Sequence, residues 1–235
     1  MNKKRIAILI PAAGKGTRSK LSYPKTLYKV KKTPILIRII KKLSKYSDIF
    51  SIVINSSNEK IFSDILKKYH ISKIEYLYQN SPKGMGDAVK KFNRSRFIEN
   101  ISDILLIWSD IPYISRGSID LMVNKHFKEN NFMTVLSCNS KNPYTLVIKD
   151  KKGNVKEIRE TYKSNFKYKF GERDIGVFIF KKELLKFLKK DRTPIKEHNF
   201  LYVINKLYKN GYKIRSIPIA KSKETISLNS INDLL

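Results

Sequence analysis

Short isoleucine-rich runs alternate with helical patterns along the first 131 residues, and that alternation leaves few folds open. "RIAILIP" (5–11) is continuously apolar, as a strand buried on both faces must be. "TPILIRIIKKLSKY" then reads as a helix: Thr33 is the expected N-cap, Pro34 suits the first turn, and Leu36, Ile39, Ile40 and Leu43 share one face. The strand "FSIVINS" precedes a helix over "NEKIFSDILKKYH", with Asn58 as its expected cap. "KIEYLYQ" and "DILLIWSD" are the next strands, followed by helices over "GDAVKKFNRSRF" and "SRGSIDLMVNKHFKEN". Such an order implies βαβ units and a mainly parallel sheet covered by helices on both faces.

From about residue 132 the rhythm changes. "FMTVLSC", "YTLVIKD", "VKEIRE" and "DIGVFIF" follow as strands, with "DKKGN" as the turn between the second and third. Helices are expected over "KKELLKFLKK" and "HNFLYVINKLYKNG", the latter closed by Gly211, before a last strand "YKIRSIPI". With no internal repeat or linker, the expectation is one α/β domain over 1–235, its antiparallel additions lying in the second half. Residues 1–131 form a nucleotide-binding half and 132–235 an acceptor-binding half in this reading.

The net charge of +29 invites a nucleic-acid partner, since phosphate backbones reward clustered Lys and Arg. Here the excess is mostly lysine spread along the whole chain, with no zinc-finger spacing and no aromatic RNA-binding strand, so no nucleic-acid partner is expected. A general positive field still attracts anionic small substrates. The basic and apolar start resembles a secretion signal, but its apolar run is short and leads straight into "GKGTRSK". No segment approaches the roughly 18 apolar residues of a membrane span. The one cysteine, Cys138, permits no internal disulfide. A cytoplasmic protein is the expectation.

In open α/β sheets ligands gather at the carboxyl ends of the strands, so the residues just past each strand are the candidates. After the first strand comes "PAAGKGTRSKLSYPK". It lacks the Walker spacing, and Ser19 stands where a dinucleotide fingerprint needs its third glycine. Gly14 and Gly16 nevertheless expose backbone N–H groups, and Arg18 and Lys25 add positive charge, a combination able to hold a triphosphate or simply to turn a corner. After the third strand, Gln79 offers a donor and an acceptor suited to a nucleobase edge, followed by Gly84 and Gly86. After the fourth strand, Asp110 can ligate Mg²⁺, which takes one or two protein oxygens plus substrate phosphates, or can serve as a turn residue. Glu160, Asp174 and Asn229 are further candidates, each also an ordinary surface residue by type. None of the three histidines forms a metal-ligand spacing, and His70 and His126, both on expected helices, are read as solvent-facing.

Taken together these pieces resemble the sugar-1-phosphate nucleotidyltransferase family, and within it the uridylyltransferase domain of bifunctional N-acetylglucosamine-1-phosphate uridylyltransferases. The likeness rests on "PAAGKGTRSKLSYPK", then Gln79 before the Gly-rich turn, "SDIPYIS", "YTLVIKDKKGNVKEIRE", "DIGVFIF", "HNFLYVINKLYKNG" and "SLNSINDL", in that order over nearly the whole chain. It implies a Rossmann-like nucleotidyltransferase fold. By position it implies that Ala13, Gly14 and Gly16 approach the nucleotide and that Arg18 and Lys25 hold the triphosphate and steady the transition state. Gln79 and Gly84 would read the base, Asp110 and Asn229 would ligate Mg²⁺, and Thr145, Glu160 and Asp174 would face the acceptor. The implied partners are a nucleoside triphosphate and a phosphorylated small molecule. No acetyltransferase repeats are present in the 235 residues, so acetyl transfer is not expected.

The expected reaction is attack by an acceptor phosphate oxygen on the α-phosphorus, with pyrophosphate leaving. Because the nucleophile is already an anion, alignment and charge neutralisation suffice, which fits a site rich in Gly, Arg, Lys and Asp. The chain departs from the family at several positions. Ser109 precedes Asp110 in place of glycine, Met85 and Asp87 replace Thr and His, Thr145 replaces a glycine, and Asp174 replaces an asparagine. UTP with a sugar 1-phosphate, in surface polysaccharide assembly, is the leading expectation. CTP with an acceptor whose amino group Asp174 would welcome is the alternative, since a glutamine amide can be turned to suit cytosine or uracil.

Overall fold

The computed structural model describes residues 5–14, 21–81, 83–161, 168–188 and 198–228. The first strand, β1 (Ile6–Pro11), is buried along its whole length. Its alternate residues serve two cores: Ile6, Ile8 and Ile10 on one face of the sheet, Ala7 and Leu9 on the other. That double burial is why the run is apolar at every position instead of every second one.

A seven-stranded sheet has the order β11-β7-β10-β6-β1-β4-β5. Here β4 is Phe50–Ile54, β5 Ile74–Tyr78, β6 Asp103–Ile107, β7 Met133–Lys141, β10 Phe170–Lys181 and β11 Ile214–Pro218. The strands β6, β1, β4 and β5 are mutually parallel. β10 runs antiparallel to both β6 and β7, while β11 is parallel to β7, so β10 alone opposes the common direction. This is the expected mixed α/β architecture, mainly parallel with antiparallel additions in the second half. The additions also include a separate hairpin of β8 (Thr145–Lys149) and β9 (Val155–Glu160), closed around Gly153 at φ 77°.

Helices α1 (Ile35–Leu43), α2 (Glu59–Lys68) and α4 (Arg116–Lys128) place Ile39, Phe62 and Met122 in the core on one face. On the other face α3 (Met85–Lys90), α5 (Tyr202–Lys209) and the β8–β9 hairpin contribute Val89, Ile204 and Val147. Ser115 caps α4 by accepting from Ser118 N at 3.1 Å. Beyond α5, Gly211 adopts φ 78° and Tyr212 N donates to Leu207 O at 3.2 Å, the left-handed termination its sequence position predicts.

Several local expectations are corrected. Thr33 does not cap α1: β2 (Lys29–Val30) and β3 (Thr33–Pro34) pair as a small hairpin, and α1 starts only at Ile35. Lys31 and Lys32 occupy left-handed φ values of 49° and 66°, as a tight two-residue connection requires. Asn58 makes no side-chain cap; Asn55 instead accepts from Ser57 N at 3.0 Å and caps a 3₁₀ turn that precedes α2. "KELLKF" is a 3₁₀ segment over Lys182–Phe187, and α3 gives way to 3₁₀ geometry after Lys90.

His126 is not solvent-facing but 1% exposed. Its Nε2 lies 2.9 Å from Asp103 Oδ1 and its Nδ1 2.9 Å from Thr134 Oγ1. Asp103 begins β6, so this buried network pins α4 at the end of the sheet remote from the strand carboxyl ends. His70 is exposed and lies past the end of α2 at φ 57°. Among the described residues no helix is long and apolar enough to cross a membrane.

Candidate active site

Three groups of expected site residues sit at the carboxyl ends of β1, β5 and β6 and at the neighbouring start of β10. The first is centred on Asp110, three residues beyond β6. Pro24 leads into a 3₁₀ turn over Lys25–Leu27 in which Thr26 and Leu27 are buried, and Lys25 reaches past them to Asp110 beyond β6. Lys25 Nζ lies 2.5 Å from Asp110 Oδ2 and 3.2 Å from the carbonyl oxygen of Leu228. Leu228 N in turn donates to the Asp110 carbonyl at 3.0 Å. Two distant parts of the chain thus meet at one aspartate.

The other carboxylate oxygen, Asp110 Oδ1, is buried without a hydrogen-bond partner among the described residues. A buried anionic oxygen of this kind is costly unless something cationic completes it. No group of three or more His, Cys, Asp or Glu side chains gathers among the described residues. The unpartnered Asp110 oxygen by itself fits a hard cation held by one or two protein oxygens and by substrate phosphates. Asn229, the second expected ligand, lies outside the described residues, as do Arg18 and Gly16. Ala13 is buried at the end of β1, held in place as Ala12 N donates to Val53 O at 2.7 Å. Gly14 is exposed, and a Cβ there would meet none of the described residues within 4 Å.

The second group forms around Gln79, fixed at the tip of β5 by its N–H donating to Ile54 O at 2.9 Å. Its side-chain Nε2 donates to Gly84 O at 3.1 Å and to Asp87 Oδ2 at 2.8 Å. Gly84 has φ 89°, and a Cβ there would lie 2.6 Å from the carbonyl oxygen of His198. The loop is stitched to that residue: Gly86 N donates to His198 O at 2.7 Å and His198 N to Lys83 O at 2.8 Å. Gly84 is therefore required both by its conformation and by close backbone approach, whereas Gly86, within α3, is required by the His198 ring, which a Cβ would meet at 2.7 Å.

The third group joins Thr145, Glu160 and Asp174. Thr145 and Glu160 face each other across the β8–β9 ladder, and Thr145 Oγ1 donates to Asp174 Oδ1 at 2.6 Å. Gly176 N donates to Asp174 Oδ2 at 3.1 Å within an irregularity of β10 between Asp174 and Val177. Asp174 is fully buried, and that burial pushes its carboxyl upward, against the opposing pull of the Thr145 hydroxyl and the Gly176 N–H. Both of its oxygens are thus engaged by protein donors. Nearby, Arg173 stacks 4.6 Å from the ring of Tyr144, which is itself exposed.

Trp108 links the first and third groups. Its N–H donates to Gly176 O at 2.9 Å, and its ring lies so close that a Cβ on Gly176 would be 2.4 Å from Cδ2. The indole Nε1 is a buried donor with no partner among the described residues, a polar handle at the site that sequence reasoning passed over. Its only signal was a lone Trp directly before Ser-Asp. Asp87 was visible as a departure from the family but not as the partner of Gln79.

A profile of the family described as "Nucleotidyl transferase" matches residues 7–220. The chain belongs to the nucleotidyl transferase family. It is 31% identical over 236 residues to the bifunctional protein GlmU of Buchnera aphidicola subsp. Schizaphis graminum, covering 98% of this chain and 50% of that protein. The GlmU of Caldicellulosiruptor saccharolyticus is 26% identical over 237 residues, again 98% of this chain and 50% of the relative. The chain thus spans about half the length of these curated relatives. A crystal structure from Bacillus anthracis, described as a glucose-1-phosphate thymidylyltransferase in complex with a sucrose, superposes with a TM-score of 0.75 at 16% identity. It covers 92% of this chain and 87% of its own, a likeness of fold.

Proposed function

We propose that this nucleotidyl transferase condenses a nucleoside triphosphate, UTP in the leading reading, with a sugar 1-phosphate to give a nucleotide-sugar and pyrophosphate. The observation that carries the proposal is Asp110: one oxygen held by Lys25, the other buried and unpartnered, at the carboxyl end of a central parallel strand. Asp110, with Asn229 next to Leu228 in sequence, would hold Mg²⁺, which when bound neutralises phosphate charge and polarises the α-phosphoryl group. Retained phosphate and metal residue types also speak against a non-catalytic relative of the family, which would have no reason to keep a buried orphan oxygen.

The chain's own residues account for the rest of the chemistry. Ala13 and Gly14, at the open end of β1, offer backbone to the triphosphate. Lys25 is a fixed cation whose ammonium lies beside the metal-binding carboxylate, where charge shifts from the acceptor oxygen to the pyrophosphate. One P–O bond forms between the acceptor phosphate and the α-phosphorus, and the α–β bridging P–O bond breaks, its electron pair leaving with pyrophosphate. No proton need move, so the site requires no general base.

The acceptor pocket we assign to the Thr145–Glu160–Asp174 group, with Tyr144 and Arg173 at its edge. The amino-bearing acceptor of the CTP alternative drew on Asp174, and its CTP on a Gln79 amide that can be turned to suit cytosine. Here Thr145 and Gly176 occupy both oxygens, so the sugar 1-phosphate reading is the one we put forward. The test is a pyrophosphate-release screen of four nucleoside triphosphates against phosphorylated metabolites with Mg²⁺. Release with UTP and a sugar 1-phosphate supports the proposal, and release from no pair contradicts it.

A further inference from the structure

Gln79 is 5% exposed and its amide is not free to turn. An amide nitrogen carries two hydrogens, and here the carbonyl of Gly84 and the carboxylate of Asp87 take both. Reversing the amide would set its carbonyl oxygen against those same two acceptors, neither of which can donate while Asp87 is ionised. The orientation therefore follows from the chemistry of the partners. Oε1 is left as the unused group, with no hydrogen-bond partner among the described residues. The frame around the amide is fixed too. Asp87 lies in the first turn of α3 with Lys91 Nζ at 3.9 Å, and the His198 backbone holds the loop on both sides of Gly84.

We propose that Asp87 is a positioning residue that sets nucleobase preference: it holds Gln79 as an obligate acceptor toward position 3 of the base, selecting one that presents an N–H there, as the uracil imide does, over cytosine with its N3 lone pair. The inference rests on the reading that this loop binds the base of a nucleoside triphosphate. A glutamine free to rotate would serve either pyrimidine. Clasped by a carboxylate, it serves one edge and leaves the other facing a like group, which is how a buried polar site rejects a near-isostere.

The test is equilibrium binding of nucleotide alone, with Mg²⁺, so that no acceptor need be known. The wild-type protein is expected to bind UTP at least about tenfold more tightly than CTP, the ratio expected for one lost and one opposed hydrogen bond. UTP methylated at N3 should bind as weakly as CTP. Asp87→Asn supplies an amide that can donate to a reversed Gln79, so the UTP-to-CTP ratio should fall to within about threefold. Asp87→Ala, which removes the clasp, should lower the ratio likewise. A merely structural role would weaken both nucleotides in proportion and leave the ratio unchanged, and that result overturns the inference. Equal wild-type affinity for UTP and its N3-methyl analogue overturns it as well. A wild-type protein that binds no nucleoside triphosphate overturns the functional reading itself, and this inference with it.

Discussion

Lys25 Nζ and Asp110 Oδ2 lie 2.5 Å apart although 85 residues separate them in sequence. The pair draws the end of the first glycine loop against the carboxyl end of β6, and Leu228 closes the arrangement from the far end of the described chain. Both side chains are largely buried, 23% and 13% exposed, so removing either partner leaves the other charge poorly compensated. The pair's value to chemistry is a fixed cation beside a fixed anion.

Lys25→Met tests that chemistry. Turnover is expected to fall by about 10²–10³-fold, the usual cost of removing one preorganised charge-stabilising donor. The same variant should lose at most about 3–5 kcal/mol in a denaturant titration, so turnover is compared where that titration shows both proteins folded.

Gly84→Ala tests the base loop. The new methyl would meet the His198 carbonyl oxygen at 2.6 Å from a backbone at φ 89°, so loop and neighbour cannot both stay in place. Nucleotide affinity is expected to drop by at least about tenfold in a binding titration, consistent with strain of about 1–3 kcal/mol.

Glu224 holds the strap that delivers Leu228 to Asp110. Its Oε1 accepts from Ser115 N at 2.6 Å, and its Oε2 accepts from Lys221 N at 2.9 Å and from Ser118 Oγ at 3.0 Å. Burial alone would raise its pKa, but these donors together outweigh it and hold the carboxyl below its ordinary value. A group depressed in this way stabilises the fold above the unfolded glutamate value and loses that contribution as pH falls through the folded one. Glu224→Gln should cost about 1–3 kcal/mol at pH 7. The gap from wild type should narrow when denaturant curves are repeated under strongly acidic conditions.

Asp174 carries the opposite sign. Burial raises its pKa, so its neutral form is favoured in the folded state, and wild-type stability should decline as pH rises from the ordinary aspartate value through the folded one. Asp174→Asn cannot ionise, and Thr145, which can donate or accept, retains a bond to it. Relative to wild type, the asparagine variant should gain thermal stability as pH rises above the ordinary aspartate value. An unchanged difference over that rise would contradict the buried-carboxyl account.

The sheet was legible because burial on both faces forces runs such as "IAILI" and "ILLI" to be apolar throughout, a signal needing no knowledge of neighbours. Helix edges were less so. Thr33 has the chemistry of a cap, yet two lysines able to take a left-handed turn commit it to a hairpin instead. His126 looked like a surface residue of a helix because its partners, Asp103 and Thr134, stand on strands far from it in sequence. The site divides in the same way. Strand ends pointed to Gln79 and Asp110, whereas the clasp of Gln79 by Asp87 and the bonding of Asp174 to Thr145 are tertiary facts. Residue type indicates what a group can donate or accept, and only the fold decides which partner takes it.

The central claim is transfer of a nucleotidyl group between two phosphates, and phosphorus NMR of the complete reaction reads it most directly. With wild-type protein, UTP, a sugar 1-phosphate and Mg²⁺, the account predicts pyrophosphate and a new diphosphate diester appearing in equal amounts, both lost in Asp110→Ala. Orthophosphate as the product, or unchanged diester formation by Asp110→Ala, would contradict it.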